Sequence, residues 1–270
     1  MEQNTYEQQA ADAFSKQAPL FDSIYGEDAI VQYKRNRVRT HVNSFLQANA
    51  HMLELNAGTG EDALYFASTG HRVHATDISE AMQTILTKKI ADKGFEQMIS
   101  SELCSFNHLD TLHNKGPYDF IFSNFAGLNC TNELAGVLYA CAPLMRSKGY
   151  ITLVIMPPFC LWEFLLLFKG NLRIAFRRFA GKKGALAKVE GSMFRCWYYT
   201  PAFIKKTLRK DFSLVGLEGL CVCVPPSYFT GFEKKYKKIF SILTKCENLV
   251  KRIWPFTVMG DYFIITLQKN

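Results

Sequence analysis

None of the eight cysteines stands in a C-x-x-C pair; Cys104, Cys130, Cys141, Cys160, Cys196, Cys221, Cys223 and Cys246 are scattered. That spacing matches neither a disulfide framework nor a thiolate zinc site. The polar N-terminus, MEQNTYEQQAADAF, lacks the basic, apolar, then small order of a signal segment, so reduced thiols in a cytoplasmic protein are expected. No uninterrupted apolar run approaches the ~20 residues of a membrane-spanning helix. The longest, from Ile151 to Phe168, contains Pro157, Pro158 and Glu163 and reads as a strand, a loop and a helix. Internal repeats and low-complexity tracts are lacking too. His41, His51, His71 and His74 do not approach metal-ligand spacing with any cysteine, and no metal is expected.

What is present is an ordinary globular composition. The 270 residues are 48% hydrophobic and 21% charged, which excludes disordered, collagen-like and coiled-coil chains. A chain this long buries ~75% of its unfolded surface and folds without covalent staples. The net charge of +8 is unevenly placed. Residues 157–200 carry eight Lys/Arg against two Glu, and residues 225–258 seven against two, leaving the remainder at −3. Two basic segments interrupt a mildly acidic core.

Residues 1–50 read as helices, with Phe14, Ala18, Phe21 and Tyr25, then Ile30, Tyr33, Val38, Val42, Phe45 and Leu46, at helical spacing. From His51 short apolar runs alternate with helical segments. Strands are expected at 51–55, 71–77, 98–106, 118–124 and 149–157. A helix capped by Ser79 and ended by Gly94 follows the second of them. After Pro157 the alternation breaks, resumes with a helix at 200–212 and a strand at 214–224, breaks again at a basic helix over 231–254, and closes with a strand at 261–269. This order predicts a parallel α/β sheet with helices on both faces.

The chemistry is concentrated in MLELNAGTGEDALYFA and HRVHATDIS. An apolar strand delivers Glu54, a turn holds Gly58 and Gly60, and a helix begins. A second strand ends at Asp77, seventeen residues after Gly60. Both turns open at the carboxyl edge of adjacent strands, where α/β sheets bind ligands. Glycine lets the backbone turn sharply and approach a ligand, the helix start favours an anionic group, and Asp77 can accept from both hydroxyls of a ribose. An adenosine-bearing ligand is implied. GTGEDA also satisfies the G-x-G-x-x-A dinucleotide fingerprint. Against NAD stand Glu54 four residues before Gly58, about fifty residues of helix before the first strand, and a seventh strand entering late.

LELNAGTGED, HATDIS and YDFIFSNFAGLN resemble the first, second and fourth motifs of the class I S-adenosylmethionine-dependent methyltransferases, strongly over residues 50–156 and by topology over 200–270. The family's first motif is acidic-x-Gly-x-Gly-x-Gly; here Glu54, Asn56, Gly58 and Gly60 fill it, Asn56 being the residue that best replaces a left-handed glycine. The resemblance implies a seven-stranded Rossmann-like methyltransferase sheet, an N-terminal helical lid (1–50), a cofactor-binding core (51–156), a basic, aromatic helical cap (157–200), and the rest of the core (201–270) with a helical insertion at 225–258. It implies S-adenosylmethionine as cofactor and S-adenosylhomocysteine as product. Glu54, Asn56, Ala57, Gly58, Thr59 and Gly60 then border its methionine part, Asp77 its ribose, and Ile78 and Met82 its adenine side. Ser105 and Phe106 match the end of the third strand, where the family often has an acid that Ser105 is not. Asn124 faces the cofactor's amino group or the methyl-transfer centre, and Phe125 to Leu128 line the acceptor side. Tyr25, Tyr33 and Arg35 are lid candidates, Arg35 as a carboxylate partner.

Displacement at a sulfonium methyl needs alignment more than a base; where a base is required, His108 and His113 are candidates. The expected acceptor is a small aromatic or lipid-like molecule, with Trp162, Tyr198 and Tyr199 of the cap as pocket residues. The basic cap faces are either solvated or suited to an anionic membrane surface. SNFAGLN is not the Asn/Asp-Pro-Pro-Tyr/Phe signature used on a nucleobase amine, VPPSY at 224–228 lacks its acid or amide, and no Pro-Cys pair occurs. A nucleic-acid methyltransferase and a non-catalytic cofactor-binding or membrane-associated module are the alternatives; a dehydrogenase is a minor one.

Overall fold

The structure is a computed structural model and describes residues 4–270. Two helices open the chain, α1 (Asn4–Tyr25) and α2 (Ala29–Asn43); Asp28 caps α2 by accepting from the Val31 amide at 2.8 Å. The alternation then runs β1 (His51–Leu55), α3 (Glu61–Ser68), β2 (Arg72–Asp77), α4 (Glu80–Lys93), β3 (Ile99–Leu103), β4 (Tyr118–Ser123), α5 (Leu134–Cys141) and β5 (Met145–Ile155). The first basic segment contains α6 (Leu161–Leu165), α7 (Leu172–Phe176), β6 (Ala185–Val189) and β7 (Ser192–Cys196). After it come α8 (Pro201–Leu208), β8 (Phe212–Leu220), α9 (Phe232–Lys235), α10 (Lys237–Val250) and β9 (Tyr262–Lys269).

Seven strands form one sheet in the order β3-β2-β1-β4-β5-β9-β8. The first five are parallel, and β9 pairs antiparallel with both β5 and β8, making the sheet mixed rather than all-parallel. The reversal follows from the connection: β8 ends at the carboxyl edge, and the 41 residues between Leu220 and Tyr262 re-enter at that same edge, so β9 must run back. Both faces are covered. On one, Val38 and Val42 of α2 pack with Ala63, Leu64 and Leu86 against Met52, Phe120 and Phe122. On the other, Leu134 and Leu138 of α5 and Ile204 and Leu208 of α8 pack on Leu53, Ile121 and Leu153. Each fully buried Leu, Ile or Phe contributes ~1.5–3 kcal/mol, and strands covered on both sides read as the continuous apolar runs seen here.

Ser79 caps α4 through the Met82 amide and Gly94 ends it in the left-handed conformation, as the sequence predicts. The 157–200 segment departs from its expected helical form, because residues 185–196 make a hairpin. ALAKV and SMFRC alternate in side-chain direction, and Glu190-Gly191, with φ of 45° and 79°, supplies the doubly left-handed turn that matches strand twist. The third strand stops at Leu103, since Ser105 turns to cap a 3-10 segment. The sixth stops at Leu220, four residues earlier than the apolar run suggests, because Cys221 takes a positive φ of 56°. The amides of Cys221 to Val224 then converge on the Glu247 carboxylate.

Candidate active site

The tips of β1, β2 and β4 and the helix α1 laid across them enclose the site. Backbone angles shape the first tip: Asn56, Gly58 and Gly60 have φ of 49°, 57° and 80°. Asn56 also works through its side chain. Its Oδ1 accepts from Ser123 Oγ at 2.7 Å and its Nδ2 donates to the Asn124 carbonyl at 3.1 Å, tying the ends of β1 and β4 together. It lies so close over Gly127 that a Cβ there would come within 2.3 Å of its Cγ. A Cβ at Gly58 would meet nothing, so only the open cleft lies above that residue.

Asp77 is held by two amides, Gly58 N–H to Oδ2 and Ser79 N–H to Oδ1, both at 2.8 Å. Each oxygen keeps a lone pair for a further donor. Burial pushes its pKa up, and those amide bonds restrain the rise. Behind the turn is a buried ionic group that sequence reasoning grasped only in part. Asp62 accepts from Arg35 at 2.9 Å, from Arg39 at 2.8 Å and from Asn124 Nδ2 at 2.7 Å. Burial would raise the Asp62 pKa, but the two guanidinium charges and the Asn124 bond bring it below the usual carboxylate range. Glu54 is the opposite case: burial, then the neighbouring Asp62 charge, hold its carboxyl well above the usual range. Its Oε2 is buried with no hydrogen-bond partner.

The cleft these groups border has about 840 Å³ of empty space, its open mouth included. Its floor is Glu54, Asn56, Ala57, Gly58 and Thr59, with Asp77, Ile78 and Met82 beside them. Asn124 and Phe125 close the β4 end, and Phe106 and Arg35 also border the space. Three expected cofactor residues do not line it. Gly60 caps α3 and packs on Leu86, where a Cβ would lie 2.1 Å from Cδ1. Ser105 turns its hydroxyl to Glu7, and the Tyr25 hydroxyl points to Gln17. Arg35 is a carboxylate partner, but of the protein's own Asp62. Thr59 donates to Asp22 of α1 at 2.7 Å, so its hydroxyl fastens that helix.

The expected acceptor residues also lie elsewhere. Leu128 is fully buried in the α5 face of the core. Trp162 packs on Phe229 at 5.4 Å, Tyr198 under the Arg178 guanidinium at 5.4 Å, and the Tyr199 hydroxyl bonds the Thr131 carbonyl. His113 is exposed and paired with Glu102 at 2.9 Å, and neither it nor His108 lines the cleft. The wall is built instead by α1, whose Ala10, Ala11, Phe14 and Phe21 give an apolar face and whose Glu7 gives a buried carboxylate. Glu7 accepts from Ser105 Oγ, from Asn107 Nδ2 at 2.6 Å and from the Phe106 amide at 3.2 Å. Only the helical spacing of Phe14 and Phe21 could have pointed to this wall, and nothing local marked Glu7. Phe125 and Ala126, with φ of 46° and 60°, are consecutive left-handed non-glycine residues; such strain costs ~1–3 kcal/mol per residue and gathers at functional sites. The Phe125 ring is held under Arg35, 4.9 Å from the guanidinium carbon.

Among the described residues one group approaches metal-ligand geometry, Cys160, Glu163 and Asp261, with ligand atoms within 4.8 Å of one another. Arg178 already joins both acids, at 2.6 Å to Glu163 and 2.8 Å to Asp261, so the group is an ion-pair network.

Residues 52–149 match the family model described as a methyltransferase domain, and strands β2, β3 and β4, the glycine turn and the acidic tip of β2 lie within that match. The core carries a methyltransferase domain. No curated protein matches the full sequence significantly. Among solved structures, the chain resembles the Burkholderia thailandensis 1,6-didemethyltoxoflavin-N1-methyltransferase, crystallised with bound 1,6-didemethyltoxoflavin and S-adenosylhomocysteine. The TM-score is 0.60 at 16% identity, covering 99% of this chain and 90% of that one. The magnesium protoporphyrin IX methyltransferase of Synechocystis, bound to S-adenosylhomocysteine, aligns with a TM-score of 0.59 at 16% identity over 98% and 99% of the two chains. A [4+2]-cyclase aligns at 0.62 and 14% identity over 97% and 96%. At these identities the likeness is one of fold, carried through both segments that flank the methyltransferase core.

Proposed function

We propose that the protein transfers a methyl group from S-adenosylmethionine to a small apolar or aromatic acceptor held under α1. The observation that carries this reading is Glu54 Oε2, a buried and partnerless carboxylate oxygen on a cleft that also offers Asp77 and the Gly58 turn. An amino-acid ammonium at that oxygen would supply the missing donor, and an unsatisfied buried polar atom otherwise costs ~1–3 kcal/mol. Asp77, with one lone pair free on each oxygen, suits the two hydroxyls of a ribose. Ile78, Met82 and Phe106 make an apolar slot beyond it for a purine. The residues fit the cofactor.

Bound there, S-adenosylmethionine supplies an electrophilic methyl on a sulfonium. The chain orients and encloses. Ala10, Ala11, Phe14 and Phe21 present the acceptor's apolar surface and exclude water, and Phe125, fixed under Arg35, bounds the reacting end. Alignment of this kind contributes up to ~7–11 kcal/mol to lowering a barrier. Asp62 stays ionised between Arg35 and Arg39 and holds Asn124 in place through its amide. Calorimetric titration with S-adenosylhomocysteine tests the cofactor half of the reading. Incubation with a labelled methyl donor and a metabolite extract, with mass detection of product, tests the acceptor half. Binding without any labelled product would leave a cofactor-binding module and refute the transfer.

A further inference from the structure

Both basic segments emerge from the sheet at its carboxyl edge, the edge that holds the cleft. One follows β5, and the other joins β8 to the antiparallel β9. They pack together through the Trp162 and Phe229 rings and through the Leu161 amide, which donates to the Met259 carbonyl at 2.9 Å.

Helix α10 has two apolar faces. The inner one sets Phe240 and Leu243 against Ile30, Cys221 and Val224. Glu247 on this side is wholly buried and accepts the amide hydrogens of residues 221 to 224 at 2.6 to 3.1 Å. The outer one carries Ile239, Ile242 and Leu249, at steps of three and seven residues that keep them in one stripe, and Ile253 follows in the turn beyond the helix. They are 48%, 59%, 75% and 54% exposed, and Trp254 beyond them is 80% exposed. Lys238 and Lys245 run beside the stripe, and Lys234, Lys235 and Lys237 lead into it, all exposed. Glu247 is the only acid in α10 and is buried, so nothing acidic on the helix surface offsets these charges. The first segment repeats the pattern: Phe168, Leu172, Phe176 and Phe179 are 85%, 62%, 51% and 54% exposed among exposed Lys169, Arg173, Lys182 and Lys183. Of its two acids, Glu163 is buried against Arg177 and Arg178, and Glu190 sits at the tip of the β6–β7 hairpin, accepting from Gln17 of α1.

We propose that this face docks on an anionic phospholipid bilayer, with the outer stripe of α10 and Trp254 entering the headgroup boundary and the lysines meeting lipid phosphates. An apolar stripe flanked by lysines, with no acid on the helix surface, is the composition of an interfacial helix. A second copy of the chain would bring like charges together. Nucleic acid would match the lysines but leave the aliphatic stripe in water. Docking needs no cofactor, so it stands apart from the methyl-transfer reading.

Co-sedimentation with vesicles of phosphatidylglycerol and phosphatidylcholine, against phosphatidylcholine alone, tests it. Binding is expected only to the anionic vesicles, weakening with salt, with a blue shift of tryptophan fluorescence that Trp254→Phe removes. Ile242→Asp with Leu249→Asp, on the exposed face, should abolish partitioning without altering the melting temperature. Lys245→Gln should weaken it about fivefold, the factor for ~1 kcal/mol per basic residue at an anionic surface. No partitioning, equal binding to neutral vesicles, or retention by the double variant overturns the proposal. So does binding of duplex DNA or RNA without vesicle binding, or a dimer that the double variant dissociates while vesicles go unbound.

Discussion

Replacing Asp77 by Asn is the sharpest probe of the cleft. The substitution keeps size and shape but changes one of two acceptor oxygens into a donor. In the native side chain each oxygen takes one amide at 2.8 Å, from Gly58 and from Ser79. An Asn amide can serve only one of them. The other backbone N–H then faces an NH2 group, and leaving a buried donor unsatisfied costs ~1–3 kcal/mol. The same rotation removes one acceptor, and the negative charge, from the pair of ribose hydroxyls. Affinity for S-adenosylhomocysteine should therefore fall by ~1–3 kcal/mol, roughly 5- to 150-fold. Titration calorimetry measures this directly. A ligand lacking one ribose hydroxyl should lose much less in the variant than the parent ligand does, since its interaction is already incomplete. A dissociation constant within about twofold of the wild type, in a protein with unchanged circular dichroism, would refute the role given to Asp77.

Further outcomes follow from the charges. Burial, then the Asp62 charge, raise the Glu54 pKa well above the usual carboxylate range, and an arriving ammonium favours its ionised form. Binding of S-adenosylhomocysteine should therefore release protons and tighten as pH rises through the range in which the Glu54 of the empty cleft titrates. Titrations in buffers of different ionisation enthalpy read the proton directly, and Glu54→Gln should remove both effects. Glu247→Gln should destabilise the fold by ~3–5 kcal/mol, because the Cys221 to Val224 amides lose a charged acceptor and one of them faces an NH2 group. Urea denaturation giving less than ~1 kcal/mol would contradict this nest of amides. Glu218 is buried, which raises its pKa, yet His41 at 3.3 Å, with Arg252 and Lys251, depresses it far below the usual range. Such a depressed acid adds stability above its unfolded pKa and loses it as pH falls through the folded one. Acid unfolding of Glu218→Gln should accordingly be flatter than that of the wild type. Filling the cleft from the lid, with Ala11→Phe, should abolish ligand binding while leaving the sheet's far-ultraviolet signal intact.

The core was legible because its signals are local. A strand, a glycine turn and a capped helix are written within fifteen residues, and Asn56 reads as a left-handed position because the residue itself tolerates that angle. The 185–196 hairpin was legible in principle, through its alternation and its Glu-Gly turn, but the surrounding Lys, Arg and Phe read as a helix. Glu7, by contrast, carries no local mark. It acquires meaning only when α1 crosses the sheet edge and sets it against Ser105, Phe106 and Asn107, about a hundred residues away. Trp162, Tyr198 and Tyr199 misled for the converse reason: aromatic composition suggests a pocket, yet these rings are occupied by core neighbours and by Arg178.

From the amino-acid order alone came the seven-strand alternation, the glycine turn between Glu54 and the helix after it, and the carboxylate closing β2, since periodicity and backbone preference act over a few residues. Tertiary structure decided which wall faces that turn, which acid stays ionised and which is left without a partner. Those outcomes depend on burial and on charges brought together from distant parts of the chain, and burial is a property of the packed molecule.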